Sequence, residues 1–375
     1  MDDRDVAGAL SARRASGSEH NGRGATCRRA RGDPLVRGER RDHGRGVGAV
    51  ADTDAVIDLL VVGELCVDVI VSLDDTPVRF GQHERIVDST LLTMGSSSAI
   101  TACGAAALGA RVSLVGVRGE DSFGEYIARQ LKELGVDTTS IRIDPSVPTG
   151  SSVHLTRPDG DRAILTALGS IGRTVAADVP TSLLRRSRHL HIGSYFLQSG
   201  LWSDAAALLS EARGLGVTTS LDGNFDPAEE WDSGIRDVLT EVEVFFGNEE
   251  ELMAVADVSD VDDAVRSLLA LMPVGATVVC KRGASGATAF TRLADEVTSI
   301  HAGVPDAPGP VIDTVGAGDT LAAGYLVARI GGADSAMALA LGVASGTAST
   351  RGAGGVSAQP DRDVAEGLAA AVQLA

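Results

Sequence analysis

The sequence predicts an α/β fold of three layers, a mostly parallel central sheet with helices on both faces, joined by a small β-sheet lid. Two observations carry this. From Ala55 onward, short β-branched apolar runs alternate with longer helical patterns, the signature of stacked β-α units. Each run is apolar at nearly every position, as strands are when both faces of a sheet are covered. In chain order the expected core strands are Ile57 to Val62, Arg111 to Val115, His189 to Ile192, Thr218 to Leu221, Val244 to Phe246 and Thr277 to Cys280. Helical spacing fills the intervals: Ser97 to Leu108, Ser122 to Leu134, Ser203 to Leu215, Glu249 to Val255, Asp260 to Leu271, Gly318 to Ile330, Ser335 to Thr350 and Asp363 to Leu374. Gly109 and Gly135 stop the first two. Two stretches break the rhythm. Residues 67–93 alternate around Pro77 and Gly81, and residues 149–166 read as a hairpin turning at Pro158-Asp159-Gly160. They are expected to form an antiparallel flap over the carboxyl ends of the parallel strands, where ligands of open α/β sheets bind.

Composition excludes several classes. With 44% hydrophobic residues the chain of 375 is not globally disordered, and its 45 glycines follow no collagen period. A net charge of −18 repels a phosphate backbone, which argues against nucleic acid as a partner of the body. Residues 1–50 differ, with eleven Arg, no Lys and seven acidic residues, and almost no apolar periodicity. They read as a disordered tail translated from a start placed too early, the alternatives being a nucleic-acid arm or a transit peptide. The folded domain is expected over 55–375. Cys27, Cys66, Cys103 and Cys280 lie far apart, so neither zinc site nor disulfide framework follows. The most apolar stretch, Val56 to Leu73, is interrupted by Asp58, Glu64 and Asp68, and no secretory segment is evident. A soluble, cytoplasmic protein with no membrane partner is expected.

The stretch richest in chemistry is Asp313-Thr314-Val315-Gly316-Ala317-Gly318-Asp319-Thr320, which joins an extended segment to an Ala-rich helix. Amides of Gly316, Ala317 and Gly318 can converge on a phosphoryl group at the helix start, where the dipole also favours an anion. A carboxylate in the same turn, Asp319, makes sense as the acceptor of a proton from an attacking hydroxyl. It is equally an ordinary favourable charge in a first helical turn.

This stretch resembles the carboxyl-terminal signature of the ribokinase, or PfkB-type, carbohydrate kinase family, and the likeness extends over about Ile57 to Pro360. The resemblance implies a ribokinase-like fold and an ATP-dependent phosphotransferase acting on a hydroxyl of a small sugar or sugar derivative, with Mg²⁺. It makes Asp319 the catalytic base and Gly316 to Gly318 the anion hole. Val62 to Asp68 resembles the family's first strand, whose terminal Asp binds sugar hydroxyls, so Asp68 inherits that role; unaided, Asp68 would read as a surface carboxylate. The block Val115 to Gly124 resembles the second conserved segment. Asp222-Gly223-Asn224 is similar to the D-x-N segment whose polar side chains face the cleft, though Asp226 stands where many relatives have a basic residue.

Asn248-Glu249-Glu250-Glu251 is similar to the N-x-x-E motif, with Asn248 near the nucleotide phosphates and Glu251 holding Mg²⁺ through water. It is also a good helix start with Asn248 as N-cap. Lys281-Arg282-Gly283-Ala284-Ser285-Gly286 resembles the loop around the nucleotide. Lys281 is one of two lysines in the chain, with Lys132, and suits a place near phosphates or merely a solvated strand end. Gly95-Ser96-Ser97-Ser98 stands where the family shows two glycines, so Gly95 and Ser96 are expected at the sugar, and Ile100 replaces an Asn that binds it. Gly342 falls where relatives place a residue near adenine. Arg351 to Gly355 resembles a late loop that, with Asp313, can hold a monovalent cation such as K⁺ in some members. The alternatives are a nucleoside kinase of the same fold and a catalytically silent sugar-binding regulator. A homodimer through the lid is a further expectation, since hairpin edges invite pairing.

Overall fold

The computed structural model describes residues 56–74, 78–158, 161–294 and 296–375. The expected tail and the turn residues Asp159 and Gly160 lie outside them. From the amino end, β1 (Ile57–Val62) leads to β2 (Cys66–Ser72), β3 (Ser89–Met94), α1 (Ser97–Ala107), β4 (Val112–Arg118), α2 (Ser122–Glu133) and β5 (Ile141–Ile143). Then come β6 (Gly150–Thr156), β7 (Arg162–Ala167), α3 (Thr181–Leu184), β8 (Ser187–Ile192), α4 (Ala205–Gly214), β9 (Thr218–Asp222) and α5 (Ile235–Leu239). The remainder is β10 (Val244–Asn248), α6 (Glu249–Ala256), α7 (Val261–Leu271), β11 (Thr277–Lys281), β12 (Ala287–Leu293), β13 (Glu296–Ala302), α8 (Ala317–Ile330), α9 (Ser335–Ser349) and α10 (Arg362–Ala369).

Nine strands form the main sheet in the order β13-β12-β11-β10-β9-β8-β1-β4-β5, with all neighbours from β11 to β5 parallel. The run Ile57–Val62 is apolar except at Asp58, near the strand's start, because both of its faces are covered. Leu60 and Val62 enter one core with Leu190, Ile192 and Leu221, while Leu59 and Val61 enter another with Leu114, Phe246 and Leu326. The helices α1 and α2 close at Gly109 and Gly135, whose φ values of 85° and 86° suit glycine.

Three features depart from the sequence reading. The pair β12 and β13 extends the sheet antiparallel at one edge. The last helix stops at Ala369, because Leu374 bridges Ala302 and Ala375 exchanges backbone hydrogen bonds with His301. The lid sheet, ordered β3-β2-β6-β7, is mixed and not antiparallel: its two hairpins, β2-β3 and β6-β7, join through a parallel pairing of β2 with β6. That pairing sets Asp68 opposite Thr93 and Ser152 on one face of the lid.

Candidate active site

The start of α8 is shaped by what surrounds it. Gly316 takes the left-handed conformation (φ 73°), and a Cβ there would lie 2.8 Å from Gly355 Cα and 3.0 Å from Ile100. The Asp313 carboxylate accepts from the Val315 amide (3.0 Å) and the Gly354 amide (2.9 Å), fixing the turn to the late loop. No side chain caps α8. The amides of Gly316, Gly318 and Asp319 find no acceptor among the described residues, whereas the Ala317 amide reaches the Thr314 carbonyl at 3.3 Å. Of the trio expected to hold an anion, Gly316 and Gly318 keep free amides, as does Asp319, while the Ala317 amide is half committed. Lys281 crosses directly in front: a Cβ on Gly318 would meet its Cδ at 3.2 Å and its Nζ at 3.5 Å.

Lys281 ends β11 and donates to the Asp222 carboxylate at 2.9 Å. Burial alone would push its ammonium down, but Asp222, Glu251 and Asp319 outweigh it and hold the charge firmly. Asp319, in the first turn of α8, is pushed up to about 7 by burial and by the Asp222 and Glu64 carboxylates, against the pull of Lys281 and a hydrogen bond from the Ser97 side chain. A carboxylate with that proton affinity, beside free amides and a fixed cation, can take a proton from a hydroxyl while charge on a phosphoryl group is balanced.

On the lid side, Asp68 is 6% exposed and its Oδ1 would lie 2.3 Å from a Cβ on Gly95, so a larger residue there would displace the carboxylate. His154 of β6 approaches the same oxygen with Nε2 at 3.4 Å. Several expected substrate contacts are otherwise engaged. The Ser96 hydroxyl donates to the Glu64 carbonyl (2.6 Å) and accepts from the Ala99 amide (2.9 Å), which makes it the cap of α1. Asp222 is spent on Lys281. Asn224, with φ 56°, donates to Ser97 Oγ (3.3 Å) and Ser194 Oγ (3.1 Å). Ile100, in place of an amide side chain, is 3% exposed and packs beneath Gly316 and Gly355. Asp226 accepts from the amides of Ala228, Glu230 and Trp231, so the acid organises its own loop.

On the other side, Asn248 and Glu251 form a reciprocal capping box (2.9 and 2.8 Å). Glu251 is 8% exposed, and its carboxyl is raised by burial against the pull of Lys281. Gly283 and Gly286 build the tight turn between β11 and β12, where a Cβ on Gly286 would sit 2.0 Å from the Ala302 carbonyl. Gly342, expected near the base of a nucleotide, is explained by packing: it is buried at the crossing of α9 and α8, where a Cβ would be 2.9 Å from the Leu321 carbonyl. Sequence reasoning places Ser97 only within the serine run that could stand in for the missing amide, and it missed Ser194 and the full weight of Glu64. A carboxylate in an apolar strand end was the visible signal for Glu64. Nothing in the sequence marks Ser194, whose place depends on a left-handed turn after β8.

Known proteins agree with this architecture. Residues 56–362 match the model of the pfkB family carbohydrate kinase. The chain is 29% identical over 315 residues to an ATP-dependent ribose-1-phosphate kinase of Halopiger xanaduensis, covering 82% of this chain and 96% of that protein. It is also 29% identical to a 2-dehydro-3-deoxygluconokinase of Thermoproteus tenax (78% and 88% covered) and 27% identical to a nucleoside kinase of Methanothermobacter thermautotrophicus (74% and 84%). Among solved structures, an Arabidopsis thaliana ribokinase complexed with ribose and ATP superposes with a TM-score of 0.72 at 23% identity, covering 84% of this chain and 99% of that one. The fold is ribokinase-like, and by the match over most of its length the chain belongs to the PfkB family of carbohydrate kinases.

Proposed function

We propose that this carbohydrate kinase transfers the γ-phosphoryl group of ATP to a hydroxyl of a small sugar or sugar derivative, with Asp319 as the base. The observation that carries this reading is the meeting of Asp319, poised near neutrality, with the unpaired amides of Gly316 and Gly318 and the Lys281 ammonium. Asp319 removes the proton of the attacking hydroxyl, and the amides and Lys281 balance charge on the transferring group. Asp68 accepts hydrogen bonds from the sugar, its carboxylate lying in room that Gly95 leaves by having no side chain. Mg²⁺ supplies charge neutralisation on the nucleotide phosphates when bound. Glu251 suits it, being a single buried carboxylate near the phosphate side, because this ion keeps several waters and needs few protein oxygens. Asn248 keeps its amide donors free for phosphate while its oxygen caps α6. The Gly283–Gly286 turn borders the nucleotide, and the Asp313 loop with its neighbour 350–355 is the site for K⁺.

The substrates of relatives, a sugar phosphate, a sugar acid and nucleosides, define the acceptor panel. A small sugar is favoured over a nucleoside because the chain is only 3% aromatic and the lid offers little to clamp a base. No helix among the described residues is long and apolar enough to cross a membrane, and reliance on ATP suits a cytoplasmic enzyme. The lid's outer face is the surface for a homodimer.

The test is ADP release with ATP and Mg²⁺ against ribose, ribose 1-phosphate, 2-dehydro-3-deoxygluconate and adenosine. Acceptor-dependent turnover is expected, falling about 10²-fold or more in Asp319→Asn. Undiminished turnover in that variant removes Asp319 from the base role, and absence of ADP release with every acceptor favours a silent binding protein.

A further inference from the structure

His154 is a buried polar residue of the lid that the proposed chemistry leaves unused. The register of the lid puts two rows of side chains on the face that carries Asp68. Thr93, Asp68, Ser152 and Thr166 form the first, and Leu91, Ile70, His154 and Ile164 the second. This face meets the loops of the site: a Cβ on Gly354 would lie 2.7 Å from Thr93 Oγ1, and Gly354 is the residue whose amide holds Asp313. In the first row every side chain is polar, and the Ser152 and Thr166 hydroxyls pair at 2.9 Å. The second row is apolar except at His154. Leu91 is 40% and Ile164 49% exposed, yet the imidazole in the same row is 7% exposed and lies against Asp68.

The two ring nitrogens have different surroundings. Nδ1 is buried and has no partner among the described residues, while Nε2 stands 3.4 Å from Asp68 Oδ1. A buried N–H without an acceptor is rarer in folded proteins than a lone pair without a donor, so the ring hydrogen belongs on Nε2. At 3.4 Å the contact is longer than a formed N–H···O bond, which runs from about 2.7 to 3.2 Å. Donor and carboxylate therefore lie side by side, each with capacity for a third atom.

A hydroxyl suits both, since it gives one hydrogen and accepts others. Its hydrogen goes to Asp68, and its oxygen takes the hydrogen of Nε2. A keto oxygen has nothing to give Asp68, and a carboxylate or phosphate brings its charge against that of Asp68. A deoxy carbon leaves donor and acceptor both unpaired.

We propose that His154 is a specificity-determining residue which, with Asp68, reads a free hydroxyl of the acceptor other than the one Asp319 deprotonates. The proposal rests on the reading of Asp68 as the sugar contact. The acceptor class that follows is a sugar with a free hydroxyl under the lid, in preference to its deoxy, keto or phosphorylated counterpart at that carbon.

The test changes substrate and protein together. Turnover by the full chain with ATP and Mg²⁺ is measured for the acceptor of the panel above with the highest kcat/KM and for its single deoxy analogues. In the parent protein one analogue should lose about 10²-fold in kcat/KM. His154→Leu, which matches the apolar members of its row, should lose about tenfold with the intact acceptor, mainly through KM, and discriminate correspondingly less against that one analogue. His154→Gln, whose amide nitrogen reaches about as far as Nε2, should restore most of the loss; His154→Asn, whose amide nitrogen falls near the place of Nδ1, should not. Equal discrimination against every deoxy analogue in the parent and His154→Leu overturns the proposal. So does, with no acceptor present, a ¹⁵N NMR spectrum of the histidine-labelled chain in which the signal lost in His154→Gln carries its hydrogen on Nδ1. Asp68→Asn tests the underlying reading separately: an unchanged KM in that variant removes Asp68 from the sugar site, whereas a raised KM there without coupling at His154 removes His154 alone.

Discussion

An aspartate that titrates near pH 7 is costly to the fold that holds it. In the unfolded chain Asp319 loses its proton near pH 4, whereas in the folded protein it does so at about 7. Between those values the native state binds more protons than the unfolded one, so stability conferred at low pH is lost as pH rises through that window. Asp319→Asn removes the penalty. Its Tm should exceed that of the parent at pH 8, with the gap closing as pH falls toward 4; equal Tm values at pH 8 contradict the raised proton affinity. Lys281 works in the opposite sense. Lys281→Met leaves the 3%-exposed Asp222 carboxylate buried without its partner, a change that costs about 3–5 kcal/mol in such pairs, read as a lower urea midpoint. Both residues stood out in the sequence, because a rare lysine and a Gly-x-Gly-Asp turn are visible in one dimension. Ser194 did not, since what matters is which hydroxyl Asn224, in the loop beyond β9, can reach.

Among the elements, the close crossing of α8 and α9 sets where the start of α8, the proposed anion hole, lies. Three glycines let the helices close: a Cβ on Gly324 would lie 2.7 Å from Ser345 Oγ, on Gly342 2.9 Å from the Leu321 carbonyl, and on Gly346 2.7 Å from the Ala317 carbonyl. The last of these abuts the first residue of α8. Gly346→Ala should therefore cost about 1–3 kcal/mol by overpacking and also lower kcat, whereas Gly324→Ala, one to two turns further along α8, should cost stability with a smaller loss of kcat. Denaturation and steady-state rates on both variants separate the two effects, and equal losses of kcat would count against transmission through Ala317. Six of the parallel strands and most helices could be read in advance, since burial on both faces writes itself as an apolar run, whereas the three-residue, half-exposed β5 could not. The β12-β13 edge could not either, because β12 mixes small and polar residues and β13 is exposed over its first four, and the parallel β2-β6 pairing joins segments about eighty residues apart.

For the molecule as a whole, the lid is where the proposed sugar site and the proposed homodimer contact lie on opposite faces of one sheet. Alternation along its strands gives it two different faces. Thr93, Asp68, Ser152 and Thr166 line up across the sheet on one face, and Leu92, Val69, Val153 and Leu165 on the other. The second row is continued by Val71 and Leu155, and a groove beside it is lined by Leu73, Val78 and Ala163. Leu165 is 61% exposed and Leu92 39%, an apolar face too extended to be incidental, and the sheet ends in the exposed edge strand β7. The homodimer proposed above would cover it with a second copy of the same lid, a self-complementary arrangement. Leu165→Glu places a charge at the centre of that contact, on the face away from Asp68, and should convert a dimer to a monomer in sedimentation velocity. Because Val69 and Asp68 are adjacent in β2, loosening the outer face should also slacken the sugar side, raising KM for the acceptor more than it lowers kcat. A variant that sediments as the parent does, with KM unchanged, assigns the outer face no part in either assembly or binding.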